Sequence, residues 1–149
     1  MSVIRLPSWA EVLAGPWALR LRSGATGAWL MRGEAEARDD VDCRFLASVA
    51  ATNARETLAE LGTAFELEVP LCGWDDLPDA VAVGERALAL LVLDAHRLLA
   101  DEPAQLAPLV GALREVAERV RLRVIFQARE LSPDAEAVLA EFGVAEISA

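Results

Sequence analysis

The sequence predicts an α/β fold, a mostly parallel sheet of three to five strands flanked by helices. Three observations carry this. Ala87-Leu-Ala-Leu-Leu-Val-Leu93 is continuously apolar, as in a central strand covered on both faces. Leu106, Leu109, Val110, Leu113, Val116, Ala117 and Val120 recur at helical spacing and line one face. Strand-like and helix-like segments alternate along the whole chain, a pattern that right-handed crossovers fold into a parallel sheet.

In order, Trp17 to Arg22 alternates and predicts a half-buried strand. Ala28 to Ala37 is rich in helix formers, interrupted by Gly33. Val41, Cys43, Phe45, Ala47 and Val49 alternate with polar or small residues and predict a second strand. Asn53 with Glu56 three residues later has the spacing of a capping box, opening a helix whose inward face is Leu58, Leu61 and Phe65. A loop from Glu66 to Gly73 leads to a short helix near Trp74, where Pro78 is tolerated because first-turn amides lack partners. After the apolar strand, Asp101 opens a helix to about Val120, and Leu122 to Phe126 is a further strand. Ser132-Pro133 caps a last helix that Gly143 ends, before a short edge strand at Val144 to Ile147.

The 149 residues suit one domain, and with 54% hydrophobic residues the chain can bury a core unaided by disulfides. No apolar run is long enough to span a bilayer, and Met1 to Pro7 lacks the layout of a signal peptide. Cys43 and Cys72 are far apart, without CxxC spacing or clustered histidines. They read as reduced thiols of a cytoplasmic protein, with no metal site.

Charge narrows the partners. The net charge is −10, and every one of the 14 basic residues is arginine. Without lysine there is no Schiff-base amine and no phosphate-loop ammonium. Between Asn53 and Glu118 thirteen acidic residues face four arginines, so one segment holds nearly all the net charge. Such a field repels nucleic acid and anionic membrane and favours a cationic protein surface. Ordinary solubility is the bland account of the same charge.

Several motifs invite chemistry. Gly24-Ala-Thr-Gly27 lies between a strand and a helix, and Leu91-Val-Leu-Asp94 resembles a strand ending in a magnesium-binding aspartate. A working phosphate loop reads GxxxxGK[ST], and here Trp29 and Leu30 stand where its lysine should be. Glycines in a turn account for the echo. His96 beside Asp94 has no nucleophile partner in a GxSxG context. Asp39, Asp40 and Asp42 lack the glycine-bearing loop of a calcium site. In Trp74-Asp-Asp-Leu-Pro-Asp-Ala-Val81, Asp75 and Asp79 share a helix face at i, i+4. Glu115 falls half a turn from the apolar stripe of its own helix, so its carboxylate is exposed and can join theirs in one acidic patch.

Here the chain resembles the barstar family, intracellular inhibitors of secreted bacterial ribonucleases. The resemblance runs through Cys43 to Val49, Leu61 to Leu67, Trp74 to Val81, Leu88 to Asp94, Leu113-Arg114-Glu115 and Leu122 to Phe126. It covers roughly Cys43 to Gln127, a barstar-like core with N- and C-terminal additions. It implies that Asp75, Asp79 and Glu115 enter a ribonuclease's cationic active site and that Trp74 packs beside them. The loop Val69 to Gly73 departs from the family pattern, being one residue shorter and lacking its aromatics and asparagine. The implied function is non-enzymatic inhibition of a basic nuclease, as in an immunity protein, without cofactor. Two rivals remain: a degenerate RecA-like or AAA-like NTPase serving as an interaction module, and a STAS-like regulatory domain, suggested by Leu122 to Ile125, Ser132 and Val138 to Val144.

Overall fold

A computed structural model describes residues 6–147; Met1 to Arg5, part of the segment read for a signal, lie outside the described residues. Five strands form one sheet: β1 Ala18–Leu21, β2 Val41–Ala47, β3 Ala87–Leu93, β4 Leu122–Gln127 and β5 Ala145–Ile147. Their order is β2-β3-β4-β1-β5, and every pairing is parallel. Six helices accompany them: α1 Trp9–Ala14, α2 Ala25–Glu36, α3 Ala54–Ala64, α4 Leu77–Ala80, α5 Leu106–Arg119 and α6 Pro133–Glu141. The expected α/β architecture is present, with the sheet wholly parallel.

The strand order decides which face each helix covers. The step from β1 to β2 runs one way along the sheet, and the steps to β3, β4 and β5 run the other way. Right-handed crossovers then send α2 to one face and α3 to α6 to the opposite one. The two apolar clusters follow this division. Trp9, Val12, Ala28, Met31 and Ala35 pack with Leu19, Leu21, Val41, Leu91 and Ile125. Leu61, Leu77, Leu109, Leu113, Val116 and Leu139 pack with Leu46, Leu90, Val92, Val124 and Phe126. The acidic segment from Asn53 to Glu118 contributes α3, α4 and α5, so the helices it supplies all cover the same face.

Local capping follows the residue types. Asn53 Oδ1 accepts from Glu56 N at 2.9 Å, and Glu56 Oε1 accepts in turn from the Asn53 side-chain amide at 2.9 Å. Ser132 Oγ accepts from Ala135 N at 3.1 Å, with Pro133 in the first turn of α6. Gly143 turns the chain out of α6 at φ 74°, which a side chain would resist. No helix among the described residues is long and apolar enough to cross a membrane.

Five expectations need correction. β1 is not half-buried: all four residues are buried, because it lies between β4 and β5 with helices on both faces. Its alternation arises because Arg20 is buried as a partner of Glu136, at 2.7 Å. α2 begins at Ala25, three residues before the predicted start, since Gly24 already serves as its N-cap. The strand through Cys43 stops at Ala47, and a 3-10 turn leaves Val49 exposed. Asp101 does not open α5; a 3-10 turn over Pro103–Gln105 does, which lets Pro108 fall in the first turn of α5. On α3, Leu61 is buried with Thr57 and Ala64, whereas Leu58 and Phe65 are only half-buried.

Candidate functional site

In an open parallel sheet, ligands enter at the carboxyl ends of strands whose following helices diverge to opposite faces. Here β1 and β4 are such neighbours, since α2 leaves to one face and α6 to the other. Between their ends lies a cavity of about 570 Å³ lined by Gly24, Ala25, Asp94, His96, Gln127, Arg129 and Glu130.

Gln127 and Arg129 give this crevice its polar lining from the end of β4. The buried Gln127 ends β4 and bridges both neighbouring strands. Its amide donates to Ser23 O at 2.6 Å, and its carbonyl accepts from Asp94 N at 2.9 Å. Arg129 reaches over the start of α2, its Nη2 2.9 Å from where a β-carbon on Gly24 would sit. Gly27 is needed for a different reason. A β-carbon there would lie 2.7 Å from Ser23 Oγ. Close packing on Ser23 thus explains Gly27, whereas Gly24 meets only the flexible end of Arg129. Asp94 adopts the left-handed conformation, φ 50° and ψ 52°, which carries β3 into the next turn. His96 is exposed at the rim. Trp29 and Leu30, 51% and 57% exposed, lie on the outer side of α2.

The second candidate surface is the acidic one. Asp75 and Glu115 are exposed, and Asp79 is exposed but engaged by Arg119 of α5 in an ion pair. Glu115 stands one helical turn before Arg119 on α5, which packs against α4. Trp74 is half-buried against the core, its indole N–H donating to Gln105 Oε1 at 2.9 Å. Asp76 points back, accepting from Cys72 N at 3.0 Å and so shaping the 69–73 loop. The structure therefore sets Asp75, Asp79 and Glu115 on adjoining elements, all water-facing, with one of the three charges offset by an arginine.

Of Asp39, Asp40 and Asp42, the last two are used structurally. Asp40 pairs with Arg38 and Asp42 with Arg44. No group of three or more His, Cys, Asp or Glu among the described residues could hold a metal ion. Sequence reading did not single out Gln127 or Arg129 as site residues. A polar residue ending an apolar strand, two positions before a second polar residue, was the available signal. No family model matches the chain, and neither a curated protein nor a solved structure matches it.

Proposed function

We propose that the chain is a RecA-like or AAA-like module that does not hydrolyse nucleotide and works by binding a basic protein partner. The observation that carries this reading is the sheet's layout at the crevice. The strand bearing the glycine turn sits between β4 and β5, and the strand ending in Asp94 lies one place beyond β4. That is the arrangement such an NTPase core implies, and two of its chemical positions are spent. No lysine exists anywhere in the chain, and Arg129 with Gln127 takes up the turn and the strand ends. What the module offers outwardly is acidic: Glu56 on α3, Asp79 on α4, Glu115 and Glu118 on α5, and Glu66, Asp75, Asp101 and Glu102 in the turns between these helices are exposed. Such a field speeds encounter with a cation-rich surface and weakens with salt.

A second reading, barstar-type inhibition of a nuclease, is favoured by one observation: Asp75 in the 3-10 turn Trp74–Asp76, Asp79 on α4 and Glu115 on α5 are all exposed on adjoining elements. Two features weigh toward the first reading. The Asp79 charge is paired within the chain, and the residues of that resemblance exclude β1, a strand inside the sheet.

The test is affinity capture at low salt with the wild-type chain and with an Asp75→Asn, Asp79→Asn, Glu115→Gln variant. A cationic protein should be retained by the wild type, released by salt and weakened by the variant. A nuclease that the wild type inhibits would favour the second reading. Capture indifferent to salt and to the three substitutions would refute both.

A further inference from the structure

The sheet has two edges of different character. Among the described residues β5 has three, Ala145 to Ile147, a short edge. β2 offers seven residues, Val41 to Ala47, without proline, glycine or lysine, and most of them are only partly buried. Asp40 O accepts from Ala87 N, so the peptide groups of even-numbered residues turn toward β3. Those of Val41, Cys43 and Phe45 turn outward, away from the sheet.

We propose that this edge is the dimerisation site of the chain, and that a second copy adds its β2 antiparallel, with the two-fold axis at Cys43. The charges on the strand select both the occupant and the register. Outward peptide groups can meet when the axis passes through Asp42, Cys43, Arg44 or Phe45. An axis at Phe45 sets Arg44 opposite Leu46, leaving the charges without opposite partners across the seam. An axis at Asp42 opposes two aspartates, and one at Arg44 opposes two arginines. Only the axis at Cys43 sets Asp42 opposite the second copy's Arg44, twice over. It also pairs Val41 with Phe45 and Cys43 with itself, each by the exchanged hydrogen bonds of a hydrogen-bonded pair. Asp42 and Arg44 already pair within one strand at 2.6 Å, so two copies close an alternating ring of four charges. An edge carrying charge of one sign repels its copy; this edge is its own complement.

The neighbouring surface suits the same partner. Phe45 lies on the α2 face, its ring 4.6 Å from that of Trp29 at 72°, with the Arg32 guanidinium 4.7 Å over Phe45. Trp29 and Leu30 leave about half their surface open. Joining two β2 strands makes Val41, Cys43 and Phe45 of both copies one continuous apolar strip on this face.

Sedimentation velocity of the full chain over a wide concentration range tests the proposal. A reversible monomer–dimer equilibrium is expected. Asp42→Arg or Arg44→Asp should each raise the dimer dissociation constant at least about tenfold, since like charges then stand directly opposite at two places. The double exchange, Asp42→Arg with Arg44→Asp, should restore dimerisation, which separates a lost interface from a lost fold. In a Cys72→Ser chain, a short thiol-to-thiol crosslinker should trap a covalent dimer through Cys43. A chain that stays monomeric throughout overturns the proposal. So does a dimer that neither single reversal weakens.

Discussion

Arg129 reaches back onto Gly24, its guanidinium 2.9 Å from the place a β-carbon would occupy. The two glycines of the turn therefore differ in what they forbid. At Gly24 the obstacle is the end of a flexible side chain, and Gly24→Ala should lower stability by less than about 0.5 kcal/mol, as a surface change does. At Gly27 the obstacle is the buried Ser23 Oγ, and Gly27→Ala should cost about 1–3 kcal/mol by overpacking. Denaturant unfolding of the two variants checks the contrast.

Gln127→Ala removes both hydrogen bonds of a buried side chain and leaves Ser23 O and Asp94 N without a protein partner. The expected loss is about 1–3 kcal/mol. At a few degrees per kcal/mol for a domain of this size, that is visible in a thermal melt. Gln127→Glu should be no better, because a carboxylate cannot donate to Ser23 O.

Asp94 holds a positive φ that glycine adopts freely and a β-branched residue resists. Asp94→Gly should fold within about 0.5 kcal/mol of the wild type, its ease in this conformation offsetting glycine's entropy. Asp94→Val should lose about 1–2 kcal/mol. Equal losses from both would show that the carboxylate matters to stability and the backbone does not.

Two titrations should appear in stability against pH. The Arg44 hydrogen bond holds the Asp42 carboxyl below the ordinary carboxylate range, over the opposing effect of partial burial. A depressed carboxylate contributes stability above its unfolded pKa, about 4. That contribution is lost as pH falls through the lower folded value, and Arg44→Gln should shallow the acid limb. At the alkaline end, burial pushes the Cys43 thiol up to about 12. Its contribution is complete below the unfolded value and is lost as pH rises from about 9 toward 12. At neutral pH, iodoacetamide followed by mass spectrometry should therefore label the exposed Cys72 well before Cys43.

The fold was legible where one physical requirement dominated. The unbroken apolar run Ala87 to Leu93 could only be an inner strand, and the α5 stripe could only be one face of a helix. Sequence pattern misled where polar residues were buried for a reason. Arg20 gave β1 an alternating, half-exposed look, yet it is covered and paired with Glu136. The candidate site was legible in part. Asp94, the glycine turn and the end of β4 were recognisable, and Asp75 and Glu115 are exposed as their helical positions predict. The ion pair of Asp79 with Arg119 and the reach of Arg129 to Gly24 join residues remote in sequence, which no local spacing reveals.

The most direct test of the account is calorimetric titration of the wild-type chain with magnesium ATP at low salt, beside an Arg129→Ala variant. No saturable heat and no rise in melting temperature are expected for either chain, since no lysine is present to reach the phosphates as a working phosphate loop requires. A saturable signal from the wild type, especially one the substitution alters, would contradict that expectation and return the crevice to the role of a nucleotide site.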